Sequence, residues 1–144
     1  MNYKYFEDVI DVVTDIEIYT GLEVRPNNSC TWYYQIIAKN ILDEYLFVEN
    51  ENGNALLCRC LECDYMSGEI FEYFSVYKAL AWIKDNYPQT SVSLWVTSKE
   101  FLFDENEDVL WHYNKIYKCA FLQTLGKDLS HLLSKIKVEA LHYS

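Results

Sequence analysis

The sequence predicts an α+β fold: a small antiparallel sheet that includes a hairpin over residues 45–61, packed by about four or five helices. A mostly α bundle with one hairpin is the alternative arrangement. Three observations lead there. Hydrophobic residues make up 51% of the chain, enough to build a core without a disulfide or metal staple. Several segments place apolar residues at helical spacing. Asn52-Gly53, set between two apolar runs, is the chemistry of a two-residue type I′ hairpin turn. With 144 residues, 4 Gly, 2 Pro and no Gly/Ser/Pro-rich stretch, residues 1–144 are expected to form a single compact domain.

From the amino end, Phe6, Val9, Ile10, Val13 and Ile16 fall on one face of a helix spanning Tyr3 to Tyr19, with Gly21 as its stop. Arg25-Pro26-Asn27-Asn28 is turn chemistry. Ser29 or Thr31 would then cap a second helix reaching about Tyr45, with Tyr33, Ile36, Ile37, Ile41 and Tyr45 as its stripe. The hairpin follows, and Glu69 to Phe74 adds a strand. Ser75 caps a short helix bearing Val76, Ala79, Leu80 and Ile83, which must end before Pro88. Val92, Leu94 and Val96 alternate as a strand with one buried face. Val109 to Phe121 fits a helix, and Gly126 separates it from a last helix carrying Leu129, Leu132, Leu133 and Ile136.

Charge restricts the partners. Against 22 Asp and Glu stand 12 Lys and Arg, a net charge of −10. Nucleic-acid affinity comes chiefly from phosphate neutralisation by basic side chains, so direct nucleic-acid binding is not expected. Residues 1–108 hold 20 of the acids and residues 109–144 hold five lysines and two acids. Glu7, Asp11 and Asp15, with Asp8 beside them, recur every four residues and would form a row along the first helix. Asp104, Glu105, Glu107 and Asp108 form a second group. Aromatics supply 17% of the chain, including 13 Tyr, and tyrosine suits interfaces.

No run approaches the ~20 apolar residues of a membrane span. The amino end turns acidic at Glu7-Asp8, unlike a secretory signal. Five cysteines, an odd number, suit reduced thiols in the cytoplasm. Cys58, Cys60 and Cys63 lie close in sequence but lack an evident fourth ligand, so they are read as small apolar side chains and no metal site is assigned. No Gly-rich phosphate loop, Gly-x-Ser-x-Gly or His-Glu-x-x-His occurs. Nothing selects His112, His131, His142 or Cys119 as catalytic. No cofactor and no enzymatic activity are expected.

These readings combine into one expectation. The chain is a small acidic protein–protein interaction factor, a stoichiometric inhibitor or immunity-type protein acting as a nucleic-acid mimic. It would occupy the basic surface of a nuclease or other nucleic-acid-binding protein through Glu7, Asp8, Asp11, Asp15, Asp104, Glu105, Glu107 and Asp108. The alternative is a small-ligand-binding or enzymatic domain with an aromatic-lined pocket.

Overall fold

A computed structural model of the chain describes residues 10–25, 29–56, 70–97 and 120–143. Five strands, β1 (Asp15–Val24), β2 (Ser29–Lys39), β3 (Tyr45–Leu56), β4 (Val92–Val96) and β5 (Val138–Tyr143), form one mixed sheet in the order β3-β2-β1-β4-β5. β1, β2 and β3 run as an antiparallel meander, whereas β4 lies parallel to β1 and β5 parallel to β4. Two helices complete the described residues: α1 (Ile70–Asn86) between β3 and β4, and α2 (Ala120–Lys135) between β4 and β5. Strands dominate, and the expectation of an antiparallel sheet under four or five helices, or of a mostly α bundle, is overturned.

The first correction falls on β1 and β2. Between residues 15 and 20 the apolar period is two, not 3.6: Ile16, Ile18 and Thr20 are buried while Glu17 and Tyr19 are half-covered. In β2, Cys30, Trp32, Tyr34, Ile36 and Ala38 are all buried, a clean alternation over nine residues. Thr31-Trp32-Tyr33-Tyr34 and Ile36-Ile37 are aromatic and β-branched side chains that fit a pleated, half-buried surface. Tyr33, Ile41 and Tyr45, expected on a buried helical stripe, are exposed.

The second correction concerns the turn. β3 runs straight through Asn52 and Gly53, which stand opposite Tyr33 and Trp32 of β2. A Cβ at Gly53 would sit 2.6 Å from Trp32 Cζ2, so this glycine makes room for an indole and does not bend the chain. The connection between β2 and β3 lies instead at residues 40–44. Buried Asn40 accepts hydrogen bonds at Oδ1 from the Leu42 and Glu44 amides at 2.9 and 3.0 Å, and its Nδ2 donates to the Ile10 carbonyl at 2.9 Å. Asp43 takes φ 63°, which a short polar side chain tolerates. Gly21, expected to stop a helix, is inside β1, where a Cβ would meet the Tyr33 ring.

α1 carries the expected stripe of Val76, Ala79, Leu80 and Ile83, all fully buried, and ends before Pro88. It begins earlier than expected, however, and takes up Ile70 to Phe74, part of the stretch expected as a strand. α2 runs unbroken through Gly126 and buries Leu125, Leu129 and Leu132. Both helices share one core with Ile16, Ile18, Tyr34, Ile36, Val92 and Leu94 of the sheet. Burying a large aliphatic side chain stabilises by roughly 1.5–3 kcal/mol, so this shared cluster is the main term holding the layers together.

If Gly53 is a packing residue within a strand, Gly53→Ala lowers the unfolding free energy by about 1–2 kcal/mol through overpacking against Trp32. Asn52→Ala, on an exposed position of the same strand, shifts it by less than about 0.5 kcal/mol. Urea titration of both variants checks this, because a hairpin turn at these residues would be hurt by either change.

Candidate functional site

In open sheets with parallel strands, ligands bind beyond the carboxyl ends of those strands. Here that place is marked by a buried carboxylate. Glu72 stands in the first turn of α1 and is fully buried. Its position is in phase with Val76, Ala79 and Ile83, so it is an acid on the apolar stripe of its helix. Removing a carboxylate from water costs several kcal/mol unless donors meet it.

Two threonines supply donors. Thr97, just past β4, gives its amide to Glu72 Oε2 at 2.9 Å and Oε1 at 3.1 Å, and its hydroxyl to Oε1 at 2.6 Å. The Thr20 hydroxyl, from the carboxyl half of β1, lies 3.3 Å from Oε2 and 3.4 Å from the Trp95 carbonyl. One turn along α1, the Ser75 hydroxyl approaches the Gly21 carbonyl at 3.5 Å. Thr20, Glu72 and Ser75 are three of the four buried polar side chains among the described residues, and all converge here. The positive end of the α1 dipole adds to the stabilisation of the carboxylate.

On the other face of the sheet the rings of Tyr19, Trp95 and His142, from three adjacent strands, stack in a row. Tyr19 and Trp95 lie with centroids 5.7 Å apart, and Trp95 and His142 4.0 Å apart. The Trp95 indole N–H is buried without a hydrogen-bond partner. Between α1 and α2 an open cleft of about 250 Å³ is lined by Tyr77, Lys84, Asp85, Asp128 and His131. Among the described residues its rings are the Tyr77 phenol and the His131 imidazole.

Of the acids singled out from the sequence, only Asp11 and Asp15 fall among the described residues, and β1 replaces the helix expected to carry Asp15. Asp11 lies in an exposed turn and Asp15 is the exposed first residue of β1. Glu7, Asp8, Asp104, Glu105, Glu107 and Asp108 lie outside the described residues, as do Cys58, Cys60 and Cys63. Among the described residues Lys39 lies 3.4 Å from Glu17 and 3.5 Å from Asp43, and Lys78 lies 3.6 Å from Glu51. Burial works against the charged form of Lys39, yet Glu17 and Asp43 outweigh it and hold the ammonium above the ordinary lysine range. Among the described residues, no group of three or more His, Cys, Asp or Glu side chains is placed to hold a metal ion. No helix among them is long and apolar enough to cross a membrane.

Neither a protein-family model nor a curated protein matches the chain. Solved structures do. LC9-RNase H1, described as a type 1 RNase H with the type 2 active-site motif, superposes with a TM-score of 0.67 at 10% identity, over 92% of this chain and 64% of that one. The RNase H domain of prototype foamy virus matches with a TM-score of 0.55 at 13% identity, over 92% of this chain and 80% of that one. Foamy viral protease–reverse transcriptase, solved in complex with an RNA/DNA hybrid, matches with a TM-score of 0.55 at 14% identity, over 90% of this chain and 18% of that one. The chain thus spans just under two thirds of the LC9 protein and about a fifth of the reverse transcriptase. At these identities the likeness defines the fold, and the fold is that of ribonuclease H domains.

That finding corrects the functional expectations. A fold shared with ribonuclease H domains stands against the acidic inhibitor and nucleic-acid mimic, and it removes the ground for expecting no enzymatic activity. The exclusion of nucleic acid rested on net charge, which speaks to association and solubility and not to fold; a protein of this fold has been solved holding an RNA/DNA hybrid. Glu72, Thr20 and Thr97 were missed. The signal was present as a single acid in register with Val76, Ala79 and Ile83, but their meeting across β1 and β4 needed the parallel pairing.

Electrostatics elsewhere in the sheet give a pH test. The Tyr34 hydroxyl donates to Glu51 Oε2 at 2.9 Å. Burial, then that hydrogen bond and the Glu51 charge, push the phenol well above its ordinary value of 10.0. The folded state keeps this proton after the unfolded state has released it, so the stabilisation is complete below pH 10.0 and is lost as pH rises past it. Tyr34→Phe should cost about 1.5–3 kcal/mol at neutral pH and flatten the alkaline fall in thermal stability relative to the parent chain.

Proposed function

We propose that the chain is a nucleic-acid-processing domain of the ribonuclease H type, engaging its ligand at the carboxyl ends of β1 and β4. The single observation that carries this reading is the mixed five-stranded sheet with β4 parallel to β1, whose carboxyl ends meet the first turn of α1. The likeness to RNase H domains supports it, as does the RNA/DNA hybrid held by the foamy viral protein. The net charge of −10 sets the expected character of binding. Few phosphates are neutralised, so affinity should fall only shallowly with salt compared with a basic nucleic-acid binder. Lys135 and Lys137 are exposed, but the Lys137 carbonyl accepts the Val92 amide at the amino end of β4, so they stand away from the ligand end and leave it weakly cationic.

Fluorescence polarisation with labelled RNA/DNA hybrid, double-stranded DNA and single-stranded RNA, paired with gel assays for cleavage in Mg²⁺, tests the reading. Hybrid should bind with a shallow salt slope, and the double variant Lys135→Glu/Lys137→Glu, at the far, amino end of β4, should leave binding within about twofold at moderate salt. A chain that neither binds nor cuts any of the three substrates refutes the proposal.

A further inference from the structure

Nuclease chemistry of the type proposed above commonly runs through a pair of divalent cations clamped between carboxylates, and Glu72 is the obvious candidate ligand. The residues around it do not fit that role. A carboxylate offers about four lone-pair directions on two oxygens. At Glu72 both oxygens face the Thr97 amide and hydroxyl, and Oε2 also faces the Thr20 hydroxyl. Among the described residues, β1 and the position just past β4 contribute Thr20, Gly21 and Thr97, which bring hydroxyls and a missing side chain where a cation site would need further carboxylates. No group of acids placed to hold a metal ion exists among the described residues. The carboxylate is also fully buried, whereas Mg²⁺ keeps several of its waters and demands near-octahedral oxygen geometry.

We infer that Glu72 is a metal-independent pin: its carboxylate locks the first turn of α1 to the ends of β1 and β4 through Thr20 and Thr97, and a cation required by the chain's chemistry is held by other side chains. The question of a cation arises only from the nucleic-acid reading, but the pin itself is a property of the folded chain alone. Charge-assisted hydrogen bonds to a buried carboxylate are among the stronger ones in a protein. The two roles predict opposite responses. Removing the charge from a pin weakens the fold with no metal present. Removing it from a vacant metal site relieves desolvation and leaves the metal-free fold as stable or more so.

Thermal unfolding of the full chain, in EDTA and then in millimolar Mg²⁺ or Mn²⁺, separates them without any nucleic acid. In EDTA, Glu72→Gln and the milder Thr97→Val should each lower Tm by roughly 5–10 °C. Either cation should shift the parent chain and both variants equally. A Glu72→Gln variant that matches or exceeds the parent in EDTA overturns the inference. So does cation-induced stabilisation of the parent that the substitution abolishes. Should Glu72→Gln fail to fold, Thr97→Val and Thr20→Val give the same comparison, and unchanged Tm values in both overturn the pin. Failure to bind nucleic acid would remove the proposed role and leave these melts unaffected.

Discussion

The parallel pairing of β1 with β4 is the constraint on which the rest of the structure depends. Four residue pairs, Ile16–Val92 through Tyr19–Trp95, join the antiparallel meander of β1, β2 and β3 to the β4–β5 pair. A parallel neighbour cannot be reached by a tight turn, so the chain must cross over the sheet, and it does so with α1. The crossover brings Glu72 to the ends of both strands. Its hydrogen bonds to Thr20 and Thr97 close the same joint from above, while Ile18, Leu94 and Val76 close it from below as apolar core. Packing supplies most of the energy and the carboxylate supplies the direction. A methyl group in its place would bury as well but would say nothing about where α1 must start.

The meander depends on two small devices. Asn40 replaces a missing backbone partner at the β2–β3 connection by accepting two amides and reaching back to Ile10. Gly53 lets the Trp32 indole lie across β3, where Phe74 meets it edge-on at 5.1 Å. Both residues are of types that ordinarily announce turns, and only one of them makes one.

Those two residues show how much of the fold the sequence disclosed. Elements whose apolar period persists over a long stretch, α1 with Val76, Ala79, Leu80 and Ile83 and β4 with Val92, Leu94 and Val96, were legible. β1 and β2 were not, because in Val9 to Ile16 and in Tyr33 to Ile41 the apolar residues satisfy the helical spacing by coincidence, and the alternation shows only once one face is known to be covered. β5 was hidden in the same way, since Ile136 continues the α2 stripe by spacing while the chain has already left the helix. The candidate site was legible only in part. Glu72 could be flagged as an acid on an apolar stripe, but Thr20 and Thr97 are separated by 77 positions and meet only because β1 and β4 are neighbours. Charge misled more than pattern did. A surplus of acids describes how a surface repels or attracts, and it places no carboxylate beside another.

Among the described residues β3 pairs on one side only, with β2, and presents twelve residues of open strand along the border of the sheet. Such a border is a ready template for a second molecule to continue the ladder. This one is furnished with Glu49, Asn50, Glu51, Asn52 and Asn54. A second copy pairing antiparallel about Asn50 would set Glu49 opposite Glu51, which like-charge repulsion disfavours. Acidic side chains on this border thus work against edge-to-edge continuation of the sheet by a second copy.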